Sequence, residues 1–272
     1  MQPIKALKLK IYQPSAHYRI PFSYQRRFTY PIPPFSTVKG FLCNLLGITA
    51  QNYGDFVEGL YIAIFGRYES LTKEYTWFRN LSKKSHIDRF HTVSNRIIDG
   101  TPQHIGGQMP VVVDVLNEVH LMIYVYHADK IWFEKIQSAC LSPQNRTSVL
   151  HLGRAEDWIV FEEEPKIVEL MPDFCLTLKY FTWLPEKEFL LLPSNQEIQS
   201  YETLFNRLNA NLFRLPLHYE KLDGQRVFTD YLTVKLFEGG YLGEGCKFWY
   251  DSMDNLPIFL TRIKKNENSG KE

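Results

Sequence analysis

The sequence predicts an α+β protein of 272 residues, and three observations carry that prediction. At the N-terminus Leu7, Leu9 and Ile11 alternate with Lys8 and Lys10, the period of a half-buried strand. Two later stretches place apolar residues at helical spacing: Val38, Phe41, Leu42, Leu45 and Leu46, then Trp132, Phe133, Ile136, Ala139 and Cys140. Beyond Pro165 the chain reads mainly as β runs separated by glycine.

The first strand covers Ala6 to Tyr12, with an apolar face and a basic face, and is expected to leave the solvent side of its sheet positive. Tyr12 to Gly47 then brings Arg19, Arg26, Arg27 and Lys39 among Tyr12, Tyr18, Tyr24, Phe28 and Tyr30, without one carboxylate. Single-stranded nucleic acid asks for this mixture, because cations neutralise phosphates and rings accept stacked bases. The same composition suits a proline-stiffened surface loop whose rings pack on the core. Ser36 is placed to cap the first helix and Gly47 to end it. Gly40 inside that helix costs about 1 kcal/mol relative to Ala. Close packing of the helix on the sheet, or the approach of another backbone, would account for it.

Leu60 to Gly66 has the character of a buried central strand. The polar, basic and aromatic stretch over 67–110 interrupts the core pattern and reads as a protruding hairpin, since loops beyond about 15 residues without a role are uncommon. Its Trp77, Phe78, Arg79, Lys83, Lys84, Arg89 and Phe90 repeat the ring-and-cation theme. Val111–Leu116 and Val119–Tyr126 look like two strands reversing at Asn117 and Glu118, and Asp129 is placed to cap the second helix. The segment LHLGRAED leads into a strand over Trp158–Phe161.

With the hairpin set aside, residues 1–165 follow β, α, β, β, α, β, the order of a ferredoxin-like (RRM-like) unit carrying 67–110 as an insertion. Residues 166–263 are expected to form a smaller β-rich C-terminal domain. Its strands are placed at Phe174–Trp183, Leu212–Glu220, Val227–Phe237 and Lys247–Tyr250, with a short helix over Ile198–Asn209 and a hairpin turn at Asp223–Gly224. The polar tail over 264–272 is expected to be disordered.

Net charge is only +1, but it is unevenly spread. Met1–Gly54 carries seven cations and no carboxylate, and Arg67–Arg96 seven cations against three carboxylates, leaving the remainder strongly acidic. Local potential steers association, so one face is expected to meet a polyanion. Cys43, Cys140, Cys175 and Cys246 lie far apart with no paired spacing, which suits buried reduced thiols. With no signal-like segment and no window near the roughly 18 apolar residues of a membrane span, a cytoplasmic protein without a membrane partner is expected. Motifs of metal, cofactor or nucleophilic chemistry are missing, including GxSxG, HExxH and a Walker loop, so neither cofactor nor metal is expected. His17, His86, His91 and His104 lie in the basic aromatic segments, where a His beside Tyr or Lys can support metal-independent RNA cleavage. Exposed polar histidines in a binding loop are the commoner case.

The basic strand, the loop ending in TYPIPPFSTVKGFLCNLLG and the later HLGRAED together resemble the Cas-five proteins of CRISPR systems, members of the RAMP superfamily. A chain of this size resembles the type I-B branch. The resemblance implies a noncatalytic subunit of a Cascade surveillance complex that caps the 5′ handle of the guide RNA. It also implies contacts with the backbone RAMP subunit and the large subunit, and admits contact with target DNA near the protospacer-adjacent motif. On that reading Arg19, Arg26, Arg27 and Lys39 hold phosphates beside Gly40, Tyr24 and Tyr30 stack on bases, and Gly153 and Arg154 line the RNA. The hairpin is then a thumb whose Trp77, Arg79, Lys83, Lys84, His86 and Arg89 meet RNA or a neighbouring subunit. One branch of the family processes precursor RNA with a His, Tyr and Lys set, which does not map onto this sequence position by position.

Overall fold

Strand β1 runs over Ile4–Ala16, longer at both ends than its alternating pattern predicts. The computed structural model describes residues 3–23, 25–80, 97–98, 101–102, 107–175, 177–222, 225–243 and 245–263. The longer elements after β1 are α1 (Phe35–Leu46), β2 (Leu60–Arg67), β3 (Ser70–Asn80), β4 (Gly107–His127), α2 (Lys130–Leu141) and β5 (Lys166–Phe174). They are followed by β6 (Phe181–Pro185), α3 (Glu197–Arg207), β7 (Asn211–Leu222), β8 (Gln225–Phe237), β9 (Lys247–Asp251) and β10 (Leu256–Ile258). The main sheet has the order β7-β8-β6-β2-β4-β1-β5-β9-β10, and these neighbours are antiparallel.

At its centre β2, β4, β1 and β5 stand side by side, and β5 lies beyond residue 165, whereas the expected fourth strand of the βαββαβ order, Trp158–Phe161, contributes only the pair Val160–Phe161. Leu7, Leu9 and Ile11 of β1 pack with Val38 and Leu42 of α1 and Ile136 and Cys140 of α2. Full burial of each such aliphatic side chain is worth about 1.5–3 kcal/mol. Asp129 caps α2 as expected, its carboxylate accepting from Ile131 N at 2.7 Å. Gly47 ends α1 in the left-handed region at φ 66°. Ser36 is not the cap of α1: the helix starts behind Pro34, and no side chain caps its first turn.

The opposite face of the sheet is not the positive solvent face expected of β1. Ala6, Phe65 and Tyr124 lie beneath Tyr201 and Leu204 of α3 and beneath Phe248 and Ile258 of the last strands, forming a second core. Lys8 is buried there between Asp251 and Asp254, while Lys10 reaches Asp254 and Glu163 and Lys5 pairs with Glu169. The acids missing from the N-terminal segment thus arrive from far along the chain and neutralise three of its seven cations.

Two strand expectations change. Asn117 and Glu118 do not reverse the chain: β4 is continuous, with Glu118 in the left-handed region at φ 53°. One such residue bends a strand, and β2 and β3 follow the bend in one register, since Arg67 faces His120 and Ser70 faces Asn117. The expected strand at Phe174–Trp183 is instead divided between β5 and β6, separated by the pair Thr177–Leu178. Because β5 pairs with β1, the sheet runs across the division expected at residue 165. At the end of the preceding segment only Val160–Phe161 forms a strand, beside Ile11 and Tyr12.

Candidate nucleic-acid cleft

The cleft is built from four distant pieces of chain, and local sequence explains each. Beyond the bend, β3 and β4 leave the body as a two-stranded hairpin that pairs as far as Asn80 and Gly107. Side chains alternate across a strand, so Glu74, Thr76 and Phe78 line the cleft. Leu71, Tyr75 and Trp77, all exposed, occupy the alternate positions of β3. Arg26 and Arg27 add a short parallel strand along β4 opposite Val112 and Val113. The guanidinium of Arg27 lies 3.9 Å from the centre of the Phe78 ring, a cation–π contact.

The second piece is α1, whose Ser36, Gly40 and Asn44 recur every four residues and form one helical face on the cleft, with Thr37 beside them. The uncapped first turn directs the positive end of the helix dipole to the same place. A Cβ added at Gly40 meets nothing within 4 Å, so close packing within this chain does not account for this glycine.

The LGR loop is the third piece. Asp157, fully buried, accepts from the backbone N–H groups of His17 at 2.9 Å and Arg154 at 2.7 Å, and from Arg154 Nη2 at 2.9 Å. Gln13 closes the loop by donating to the carbonyls of Leu152 and Asp157. Gly153 is required at its bend: φ is +106°, and a Cβ would stand 2.6 Å from Asp157 Oδ2 and 2.8 Å from the carbonyl oxygen of His17. Arg154 also reaches Glu74 at 3.3 Å and Glu156 at 3.4 Å. Although partial burial opposes it, these partners hold its guanidinium above the ordinary pKa, as a fixed charge. The fourth piece is the β7–β8 hairpin, which brings Pro216 and the edge-to-face pair Tyr219 and Phe228 to the opposite wall.

These pieces enclose an open cleft of about 900 Å³. Of the residues the sequence singled out, Arg19, Arg27, Gly40, Gly153 and Arg154 all line it. Arg19 and Arg26 are exposed and make no ion pair with a described residue, and Arg26 lies over the exposed Phe28 ring. Two expected contacts are overturned. Lys39 is only 5% exposed and donates to Leu217 O at 2.5 Å and Tyr53 Oη at 2.7 Å, with His218 Nδ1 at 3.1 Å. Burial lowers its pKa to about 8, so it is a core polar group and not a phosphate clamp. Tyr30 is 2% exposed, packed edge-on against Trp183 and Phe213, and presents no face to a base. Trp77 is exposed at a position alternate to the cleft-lining residues of its strand. Tyr24, Lys83, Lys84, His86 and Arg89, the side chain of Arg79, the turn at Asp223–Gly224 and the tail over 264–272 lie outside the described residues.

Sequence reasoning missed Asp157, although it ends the quoted motif, and Tyr219 and Phe228, which no local pattern ties to the N-terminal loop. The four-residue spacing of Ser36, Gly40 and Asn44 was a usable signal. All four cysteines are free, and burial raises the thiol pKa of each. Among the described residues no group of three His, Cys, Asp or Glu is placed to hold a metal ion, and no helix is long and apolar enough to cross a membrane.

The fold is thus that of a mixed α+β protein with an arginine-lined, ring-walled cleft at the root of a hairpin. The family model described as CRISPR-associated protein (Cas_Cas5) matches residues 6–162, more than half of the chain. The chain belongs to this CRISPR-associated Cas-five family. Among solved structures, a chain described as a CRISPR RNA-guided surveillance complex is similar with a TM-score of 0.50 at 10% identity, over 87% of this chain and 90% of its own. A CRISPR protein from Archaeoglobus fulgidus gives a TM-score of 0.46 at 9% identity, over 95% of this chain and 100% of its own. No curated protein sequence matches the chain.

Proposed function

We propose that the protein is a noncatalytic subunit of a type I CRISPR surveillance complex, and that the cleft holds the 5′ handle of the guide RNA. The observation that carries this reading is the convergence on one cleft of Arg19, Arg27, Arg154, the uncapped start of α1 and the Tyr219–Phe228 rings. Phosphates take the guanidinium and helix-dipole sites, while bases stack on the rings. Arg26 extends the cationic edge beyond the cleft. Base reading comes from loops and the C-terminal hairpin, because the central strands are covered on both faces.

The exposed Leu71, Tyr75 and Trp77 are the seat for the backbone subunit, and the large subunit docks on another surface of the same body. The same reading admits contact with target DNA beside the protospacer-adjacent motif, in a cytoplasmic complex. Lys39, Tyr53 and His218 do meet beneath α1, but Lys39 and His218 are only 5% and 8% exposed, and on this reading the three are a core polar cluster and not a cutting site. The test is incubation of the purified chain in EDTA with labelled repeat RNA from its own locus. Retention of intact RNA, weakened in Arg19→Ala and in the Arg26→Ala, Arg27→Ala double variant, is expected. Site-specific cutting overturns the noncatalytic assignment, and unchanged affinity in both variants overturns the cleft.

A further inference from the structure

His17 sits where β1 ends, lines the cleft, and is 3% exposed. Its Nδ1 lies 2.7 Å from the carbonyl oxygen of Asp114 on β4. A carbonyl only accepts, so Nδ1 carries the hydrogen and donates it. In the neutral ring Nε2 is then an acceptor. That atom has no hydrogen-bond partner. A buried acceptor without a hydrogen bond is destabilising, and a ligand donor removes that cost.

The surroundings keep the ring neutral. Burial lowers its pKa first, and the Arg154 and Arg19 guanidinium groups lower it further, against the Asp114 carbonyl and the Asp157 carboxylate. The other acidic groups on this wall, Glu74 and Glu156, are engaged by Arg154. His17 Nε2 is therefore a buried acceptor without a partner, on a residue that lines a cleft carrying three arginines. A nucleotide seated with its phosphates on the arginines offers two kinds of donor, the ribose 2′-hydroxyl and base N–H groups. The hydroxyl stays within a few bonds of the phosphate whatever the base.

Resting on the reading of the cleft as an RNA site, we propose that His17 Nε2 accepts a hydrogen bond from the 2′-hydroxyl of one bound nucleotide and so makes the cleft select RNA over DNA. His17 is a specificity-determining residue on this assignment. It distinguishes the sugar, while Arg19 and Arg27 supply affinity common to both kinds of strand.

The test measures binding of fluorescein-labelled repeat RNA carrying a single 2′-deoxy substitution, walked along the strand. In the unsubstituted protein one position weakens binding about tenfold, equivalent to about 1.4 kcal/mol. In His17→Phe that penalty disappears while dependence on Arg19 persists, and in His17→Gln, whose amide oxygen can accept, part of it returns. A uniform response along the strand, or an undiminished penalty in His17→Phe, overturns the inference. Replacing guanosine by inosine or adenosine by purine riboside supplies the second arm: coupling of His17 to a base amine in place of the hydroxyl overturns the ribose assignment. Should His17→Phe fail to fold, histidine 15N spectra of the unsubstituted protein decide. The acceptor nitrogen shifts on binding RNA and does so less with the 2′-deoxy strand; equal shifts overturn the inference. Arg19-dependent binding without a 2′-deoxy penalty removes this inference alone, whereas absence of Arg19-dependent binding removes the RNA reading and this inference with it.

Discussion

Lys8 Nζ lies 2.7 Å from Asp251 Oδ2, with the two side chains only 1% and 2% exposed. Their contact joins the first strand to the last third of the chain, and Tyr124 on β4 donates to the same carboxylate oxygen at 2.8 Å. Removing one partner of a buried pair leaves an uncompensated charge, which costs about 3–5 kcal/mol. In Asp251→Ala Lys8 keeps Asp254 while Tyr124 loses its acceptor, so a smaller loss of about 1–3 kcal/mol is expected in urea unfolding, although no residue of the cleft is altered.

The same cluster sets an acid limit. Partial burial opposes ionisation of Asp254, but hydrogen bonds from Lys8 and Lys10 prevail and hold its carboxyl below the ordinary range. A depressed carboxyl stabilises the fold fully above its unfolded pKa of about 4, and that contribution is lost as pH falls through the folded value. Asp254→Asn is expected to be less stable at pH 7 and to lose less further stability below pH 4 than the parent. Parallel acid titrations followed by circular dichroism check it.

Lys39 and Arg19 separate by salt dependence. Each phosphate contact contributes about 0.7 to the slope of log affinity against log salt for a single strand. Arg19→Ala is expected to reduce the slope by about that amount, and Lys39→Met to leave it unchanged. The pKa of Lys39 adds a pH signature: with a folded value of about 8, below the free lysine value, its burial penalty is complete below pH 8 and relieved as pH rises towards about 10.4.

Gly40→Ala pulls stability and binding apart. The added methyl meets nothing in the free chain, and Ala is better than Gly in a helix by about 1 kcal/mol, so the melting temperature is expected to rise. If an RNA backbone rests on that turn, affinity falls in the same protein. Thermal melts and RNA titrations on one preparation read both.

Gly153→Ala goes the other way. A side chain at φ +106° is strained, and its Cβ collides with Asp157 and the His17 carbonyl. Destabilisation of more than about 1 kcal/mol is expected, with weaker RNA binding as Arg154 loses its anchor.

Much of this was legible in the sequence wherever period and burial agree. The strand alternation of Leu7, Leu9 and Ile11 and the helical spacing of α1 and α2 both reappear in the first core. Lys39 was misread because its charge was weighed above its position. It stands four residues after Phe35 and beside Val38, on the stripe that the spacing already marked as buried. Tyr30 and Phe28 differ in burial although no local period separates them, and only the packing of Trp183 and Phe213 decides. Lys8 was unreadable for another reason: its acids are more than 240 residues away in sequence. The bend at Glu118 resembles a turn locally, and only the unbroken register across it marks one strand.

That unbroken register has a mechanical outcome. A tug on β4 at Gly107 acts lengthwise through the strand, which β1 grips from Leu116 to Val125. The rungs between them share the load in shear and do not open one after another like a zipper, so force applied far out by a bound neighbour is delivered to the middle of the body.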